Sequence, residues 1–135
     1  MTSRFIYVKR LSVELCRVQP ETVFVFGDNL RRRGRAGQAV IRGEPNAYGI
    51  PTKRWPSMDP AAFFSDEDAA ELRPIYYNAQ AYLLGRIHNG HAIAWPEDGL
   101  GTGLAQLPKR APAVFAMLTE VERQLRQAGE ELGRG

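Results

Sequence analysis

The period of apolar and polar positions changes several times along the chain, and each change predicts an element. Phe5 to Val8 and Leu11 to Val18 alternate, with Leu11, Val13 and Leu15 on one face, which predicts two short strands. Gln19-Pro20-Glu21 predicts a turn. Thr22 to Phe26 is apolar at nearly every position, the pattern of a strand buried on both faces, and Gly27-Asp28-Asn29 ends it. Gly37 to Arg42 predicts a short helix closed by Gly43. Ala47 to Thr52 predicts another strand, which Pro51 either ends or confines to a sheet edge.

Helical spacing dominates the second half. Ser65-Asp66-Glu67-Asp68 reads as a helix start, its carboxylates suited to the positive end of a helix dipole. Leu72, Ile75, Tyr76, Ala79, Tyr82 and Leu83 then form one stripe, with Pro74 expected in the first turn, where a proline does least harm. Asn89-Gly90 ends it, and Ala92 to Trp95 predicts a late strand. Ala111, Val114, Phe115, Leu118, Val121 and Leu125 make a final stripe, with Pro108 and Pro112 at its start. Residues 129–135 read as a frayed polar tail. Strands alternating with helices predict an α/β fold: one domain over residues 1–135, a mixed sheet flanked by helices, with its core over about 4–128.

In such sheets ligands bind beyond the carboxyl ends of the strands. Three candidate segments fall there: Gly27-Asp28-Asn29, Thr52-Lys53 and the run Pro96 to Ala105. Within that run Gly99, Gly101 and Gly103 alternate with Asp98, Leu100, Thr102 and Leu104. Closely spaced glycines let backbone N–H groups approach a bound anion, and strand, glycine loop and helix in that order make a phosphate cradle. Gly34-Arg35-Ala36-Gly37-Gln38-Ala39 has the same character. A tight turn is the plain alternative for either loop. Neither is a P-loop, since no Gly-Lys-Ser/Thr occurs. Neither completes a dinucleotide fingerprint, since position 104 is Leu where a third glycine belongs.

Charge sharpens this picture at one place. The chain of 135 residues carries a net +3, and Arg31-Arg32-Arg33-Gly34-Arg35 concentrates four arginines in five positions. That run suits a phosphate or nucleic-acid clamp, or a solvated loop. A lone Cys16 excludes an internal disulfide and reads as a small core residue. No apolar run approaches the ~20 residues of a membrane span, and Met1 to Ile6 has no long apolar region behind its charge. The cytoplasm is the expected compartment. His88 and His91 lack further ligands, so no metal and no cofactor is expected.

Phe26-Gly27-Asp28-Asn29, Gly34 to Ala39, Ile50-Pro51-Thr52-Lys53 and Gly103-Leu104-Ala105 together resemble the macrodomain family over roughly residues 22 to 115, and most closely its small bacterial and phage relatives. The resemblance implies a macrodomain-like fold that binds ADP-ribose or a related nucleotide. By it, Asp28 takes the place of the aspartate that contacts the adenine amino group. Gly34 to Gln38 lie near the proximal ribose and phosphate, and Gly99, Leu100, Gly101, Thr102 and Gly103 wrap the diphosphate and distal ribose. An ADP-ribosylated protein or nucleic acid is then a further candidate partner. The asparagine-rich segment of many hydrolytic members is replaced here by the arginine run.

The chemistry of individual residues leaves alternatives open. Asp28 and Asn29 suit ligand contact, a turn or a helix cap equally well by residue type. Lys53 suits a phosphate contact, an adduct with an aldehyde form of ribose, or plain solvent exposure. Asp98 is the best-placed general base by sequence, and also an ordinary turn residue. Trp55, Phe63 and Phe64 could stack on a base or pack in the core. Three functional readings follow: hydrolysis of ADP-ribosyl groups, nucleotide binding without chemistry as a sensor or sponge, and a small basic protein associated with nucleic acid.

Overall fold

A computed structural model describes residues 3–133. Its sheet has four strands, β1 (Phe5–Val8), β2 (Thr22–Asn29), β3 (Ala47–Lys53) and β4 (Ala92–Pro96), in the spatial order β1-β4-β2-β3. Every pair of neighbours is parallel, so the α/β class holds while the expected mixed sheet is a parallel one. Among the described residues the one antiparallel contact is an isolated bridge between Lys53 and Phe63.

Side chains alternate across the central strands and divide the core in two. Val23 and Val25 of β2, Ile93 and Trp95 of β4, and Phe5 of β1 face one side. There they meet α2 (Ala69–His88) through Leu72, Tyr76, Ala79, Leu83 and Ile87. They also meet the short α3 (Leu107–Arg110) through Leu107, and α4 (Pro112–Gly133) through Val114, Leu118, Val121 and Leu125. Both stripes recur at three and four residues, as a helix lying on a sheet requires. Phe24, Phe26 and Ala94 face the other side, where α1 (Val13–Val18) and a 3₁₀ turn at Gly37–Ile41 cover them with Cys16, Ala39 and Ile41. The burial of β2 on both faces matches its continuous apolar pattern.

Three expectations are corrected. The segment Leu11 to Val18 is not a strand, because Ser12 accepts a hydrogen bond from Leu15 N at 3.0 Å and starts α1. Pro74 lies inside α2 rather than in its first turn. The helix runs on through it to His88, with a capped 3₁₀ turn at Asp66–Asp68 before it and its apolar stripe docked on the sheet. The tail is helical through Gly133, since Gly129 packs on β1 and its carbonyl accepts from Arg4 N at 3.0 Å. Of that expected tail, residues 134–135 lie outside the described residues, as do residues 1–2 of the leader reading. No described helix is long and apolar enough to cross a membrane.

Pro51 sits on an edge strand, where its missing N–H faces no neighbour. Tyr76 of α2 donates its hydroxyl to Pro51 O at 2.8 Å, and burial raises that phenol far above its ordinary range. The bond fixes β3 where its register against β2 shifts: Asp28 pairs with Pro51, but Asn29 pairs with Lys53. The extra residue is Thr52, and bulges of this kind commonly re-aim a side chain beside a site.

Candidate functional site

The carboxyl ends of β2, β3 and β4 open into one cleft of about 480 Å³. Its walls come from Gly27 to Asn29, Gly34, Ala36 to Ala39, Thr52-Lys53 and the glycine run after β4, so the three strand-end segments do converge. That convergence depends on strand order. β4 follows β2 by more than sixty residues yet lies directly beside it, at the end from which the two outgoing chains part.

One side chain joins the two glycine loops. Gln38 Oε1 accepts from Gly27 N at 2.8 Å, and its Nε2 donates to Gly99 O at 3.1 Å. This orients Gln38 as a strut at the back of the cleft. The loop after β4 is then organised by its own carbonyls. Asp98 O accepts from Thr102 Oγ1 at 2.6 Å, Gly101 O from Leu107 N at 2.8 Å, and Gly103 O from Gln106 N at 3.0 Å. Among the described residues, no hydrogen bond leaves the amides of Gly101, Thr102 and Gly103. The carbonyls of Asp98, Gly99, Gly101 and Gly103 are thus occupied while three successive amides are left over, the condition of an anion-binding nest. Gly101 has φ +76°, which favours glycine, and a Cβ there would lie 3.0 Å from Leu107 Cδ1. Gly103 also lines the cleft, but a Cβ there would meet nothing within 4 Å.

Lys53 and Arg33 are the cations on the cleft wall. Lys53 Nζ donates to Ser57 O and lies 4.5 Å from the centre of the Phe63 ring. Burial, and then the charge of Arg110, hold its ammonium below the ordinary lysine range. Thr52 is buried and donates to Asp28 O at 3.2 Å.

Asp28 lines the cleft, but its carboxylate is engaged elsewhere. The side chain is 2% exposed, and Arg42 binds both oxygens. Arg32 Nη1 donates to Oδ2 at 2.9 Å and Asn29 N to Oδ1 at 2.8 Å. Burial pushes the carboxyl up, while the bonds from Arg42, Arg32 and Asn29 outweigh it and hold the group below the usual carboxylate range. An adenine-reading role for this carboxylate is corrected on that ground: its acceptors are already filled. Its crowding also dictates Gly49, where a Cβ would lie 2.4 Å from Asp28 Oδ2.

Other expected site residues divide. Gly27, Gly34, Gly37, Gln38, Gly99, Gly101 and Gly103 all line the cleft. Leu100 does not; it is a core residue, 2% exposed, beneath the loop. Thr102 spends its hydroxyl on Asp98 O and lies off the cleft wall. Asn29 lines it but is spent as a loop organiser. Its Oδ1 accepts from Arg31 N at 3.1 Å and its Nδ2 donates to Arg33 O at 2.8 Å. Asp98 is exposed and faces a different groove. Phe63 and Phe64 are buried, and Arg31 covers Trp55 at 4.7 Å.

The arginine run is thus four separate residues rather than one clamp. Arg31 stacks on Trp55, Arg32 pairs with Asp28 and Gly49 O, Arg33 reaches the cleft, and Arg35 donates to Arg42 O at 2.7 Å. Arg32 has φ +55°, a left-handed conformation uncommon for a residue with a long side chain, sustained by those two bonds. Sequence reasoning missed Arg42, which organises this loop from eight residues beyond Gly34. Only its charge at the end of a short helix that is otherwise uncharged signals it.

No cluster of three or more His, Cys, Asp or Glu side chains that could hold a metal occurs among the described residues. A family model described as a family of unknown function, DUF7831, matches residues 6–121. Neither a curated protein nor a solved structure matches the chain.

Proposed function

This chain belongs to the DUF7831 family, and on that premise we propose that its cleft binds ADP-ribose or a closely related nucleotide and holds it without cleaving it. The observation that carries this reading is the loop from Gly99 to Gly103. The carbonyls of its three glycines are occupied, its amides at 101 to 103 are unclaimed among the described residues, and Lys53 and Arg33 stand on the same cleft. Such a set matches a diphosphate, which needs donors and positive charge rather than acceptors. The volume is in the range of small-molecule sites, which run from about 300 to 1,000 Å³. The resemblance to macrodomains supports ADP-ribose among nucleotides.

Binding without chemistry is favoured by where the candidate catalysts stand. Asp98 faces away from the cleft, and Asn29 and Asp28 have their polar atoms engaged. Lys53 donates to Ser57 O, so a phosphate can share its remaining protons.

Calorimetry with ADP-ribose tests the reading, with Gly103→Val alongside. A side chain at 103 meets no neighbour within 4 Å, so the variant should keep its melting temperature. The amide remains, but the branched side chain blocks the ligand's approach to it, so affinity should fall at least about tenfold, the scale of a hydrogen bond to a charged group left unmade. Absence of binding by the unmodified protein across a panel of nucleotides rejects the proposal. Release of ADP-ribose from modified protein or nucleic acid would replace binding alone with hydrolysis.

A further inference from the structure

A second groove, of about 400 Å³, lies beyond the carboxyl ends of β1 and β4. It is floored by Val8, Leu11, Val40 and Pro96, and its charged residues are Lys9, Arg10, Arg35 and Asp98. Three cations face one carboxylate. Lys9, Arg10 and Arg35 are all exposed, and none has an ion-pair partner among the described residues.

The partition between groove and cleft is a single stretch of backbone. Gly34 and Ala36 line the cleft, Arg35 lines the groove, and Gly37 and Gln38 line both. Across the next loop the same division holds, with Gly99 on the cleft side and Asp98 on the groove side. The Gln38 bond to Gly99 O closes the back of both. A ligand whose diphosphate sits on the Gly101 to Gly103 amides therefore has a cationic track one backbone thickness away.

We propose that this groove binds the phosphate backbone of a single nucleic-acid strand, the nucleotide of the cleft being one unit of that strand or a group attached to it. The proposal rests on the nucleotide reading of the cleft for the identity of its polymer. A chain of nucleotides is the ligand whose charge continues past the first phosphates, and Lys and Arg side chains without ion-pair partners suit its sugar-phosphate backbone. The binding is electrostatic and follows backbone rather than base identity. It differs from a clamp by the whole arginine run, since Arg31 lies over Trp55 and Arg32 is paired with Asp28.

The test is fluorescence anisotropy of a short labelled single-stranded oligonucleotide over a range of salt, on the full chain and on the double variant Lys9→Glu, Arg10→Glu. Both positions are exposed outside the core, so the variant should melt as the unmodified protein does. It should lose oligonucleotide affinity at least tenfold, and its salt slope should flatten by about 1.4, at roughly 0.7 for each lost phosphate contact to a single strand. Calorimetry on the same samples should find ADP-ribose affinity within twofold. Oligonucleotide affinity that is absent, or unmoved by the two substitutions, overturns the proposal. Equal binding of a phosphopeptide of the same charge overturns the nucleic-acid assignment. Failure of ADP-ribose to bind, with oligonucleotide binding still lost in the variant, removes the cleft reading and leaves the groove standing.

Discussion

Asp28 decides how the loop after β2 is built. Its carboxylate gathers two guanidinium groups and one amide at the end of a buried strand, and the backbone of the arginine run is shaped around it. The Arg42 side chain is 17% exposed and Arg32 50%, so the cost of removing the carboxylate falls mostly on Arg42. Asp28→Asn should destabilise the fold by about 3 kcal/mol, the low end for breaking a buried pair, because Arg32 remains half in solvent. The pH dependence follows in sign. The carboxyl titrates lower in the folded protein than in the unfolded chain, so its contribution is complete at neutral pH and fades as pH falls below about 4. Urea titrations of both proteins over a pH series check this. The gap between them should be constant from pH 6 to pH 8 and should narrow in acid.

Among the elements, α4 is held to the sheet by a close approach. A Cβ on Gly129 would lie 2.6 Å from Phe5 Cβ and 2.7 Å from Phe5 N, so helix and strand touch through a missing side chain. Gly129→Ala gains about 1 kcal/mol of helix propensity, yet it forces α4 away from β1. The expected net result is a loss of about 1–2 kcal/mol, on the scale of overpacking a core. A lower urea midpoint with unchanged slope is the signature. Read alone, residues 129–135 look polar and frayed because glycine is a poor helix former. Contact with Phe5, distant in sequence, reverses that for residues 129–133. The α1 segment teaches the opposite limit. Six to eight alternating residues fit a strand or a short capped helix, and Ser12 turns the balance locally.

For the whole molecule, the cleft joins loops from three strands, so its occupant should stabilise the folded state as a unit. ADP-ribose at one hundred times its dissociation constant should add about 2.7 kcal/mol. For a chain of this size that raises the melting temperature by roughly 8–10 °C. The shift should grow with the logarithm of ligand concentration. It should fall to about half or less for Gly103→Val at the same concentrations, since a tenfold weaker site keeps only about 1.4 kcal/mol, while Asp98→Ala, which faces the other groove, should keep it in full. Thermal melts over a ligand series measure all three.

The sequence by itself determined the α/β class, the buried strand at Thr22 to Phe26, the stripes of the two long helices and the glycine loops at the strand ends. These are local matters: periodicity and residue type act within one element, through the side chains that a helix or strand sets on one face. Tertiary structure alone decided the order β1-β4-β2-β3, and with it the meeting of the two glycine loops through Gln38. It also decided which polar groups remain free. Asp28, Asn29 and Thr102 are the residue types expected of a ligand site, yet partners supplied by the fold use them up. Asp98, next to the loop in sequence, turns into the second groove. A hydrogen-bonding side chain serves a ligand only when the protein leaves it unsatisfied, and that depends on neighbours that spacing along the chain does not reveal.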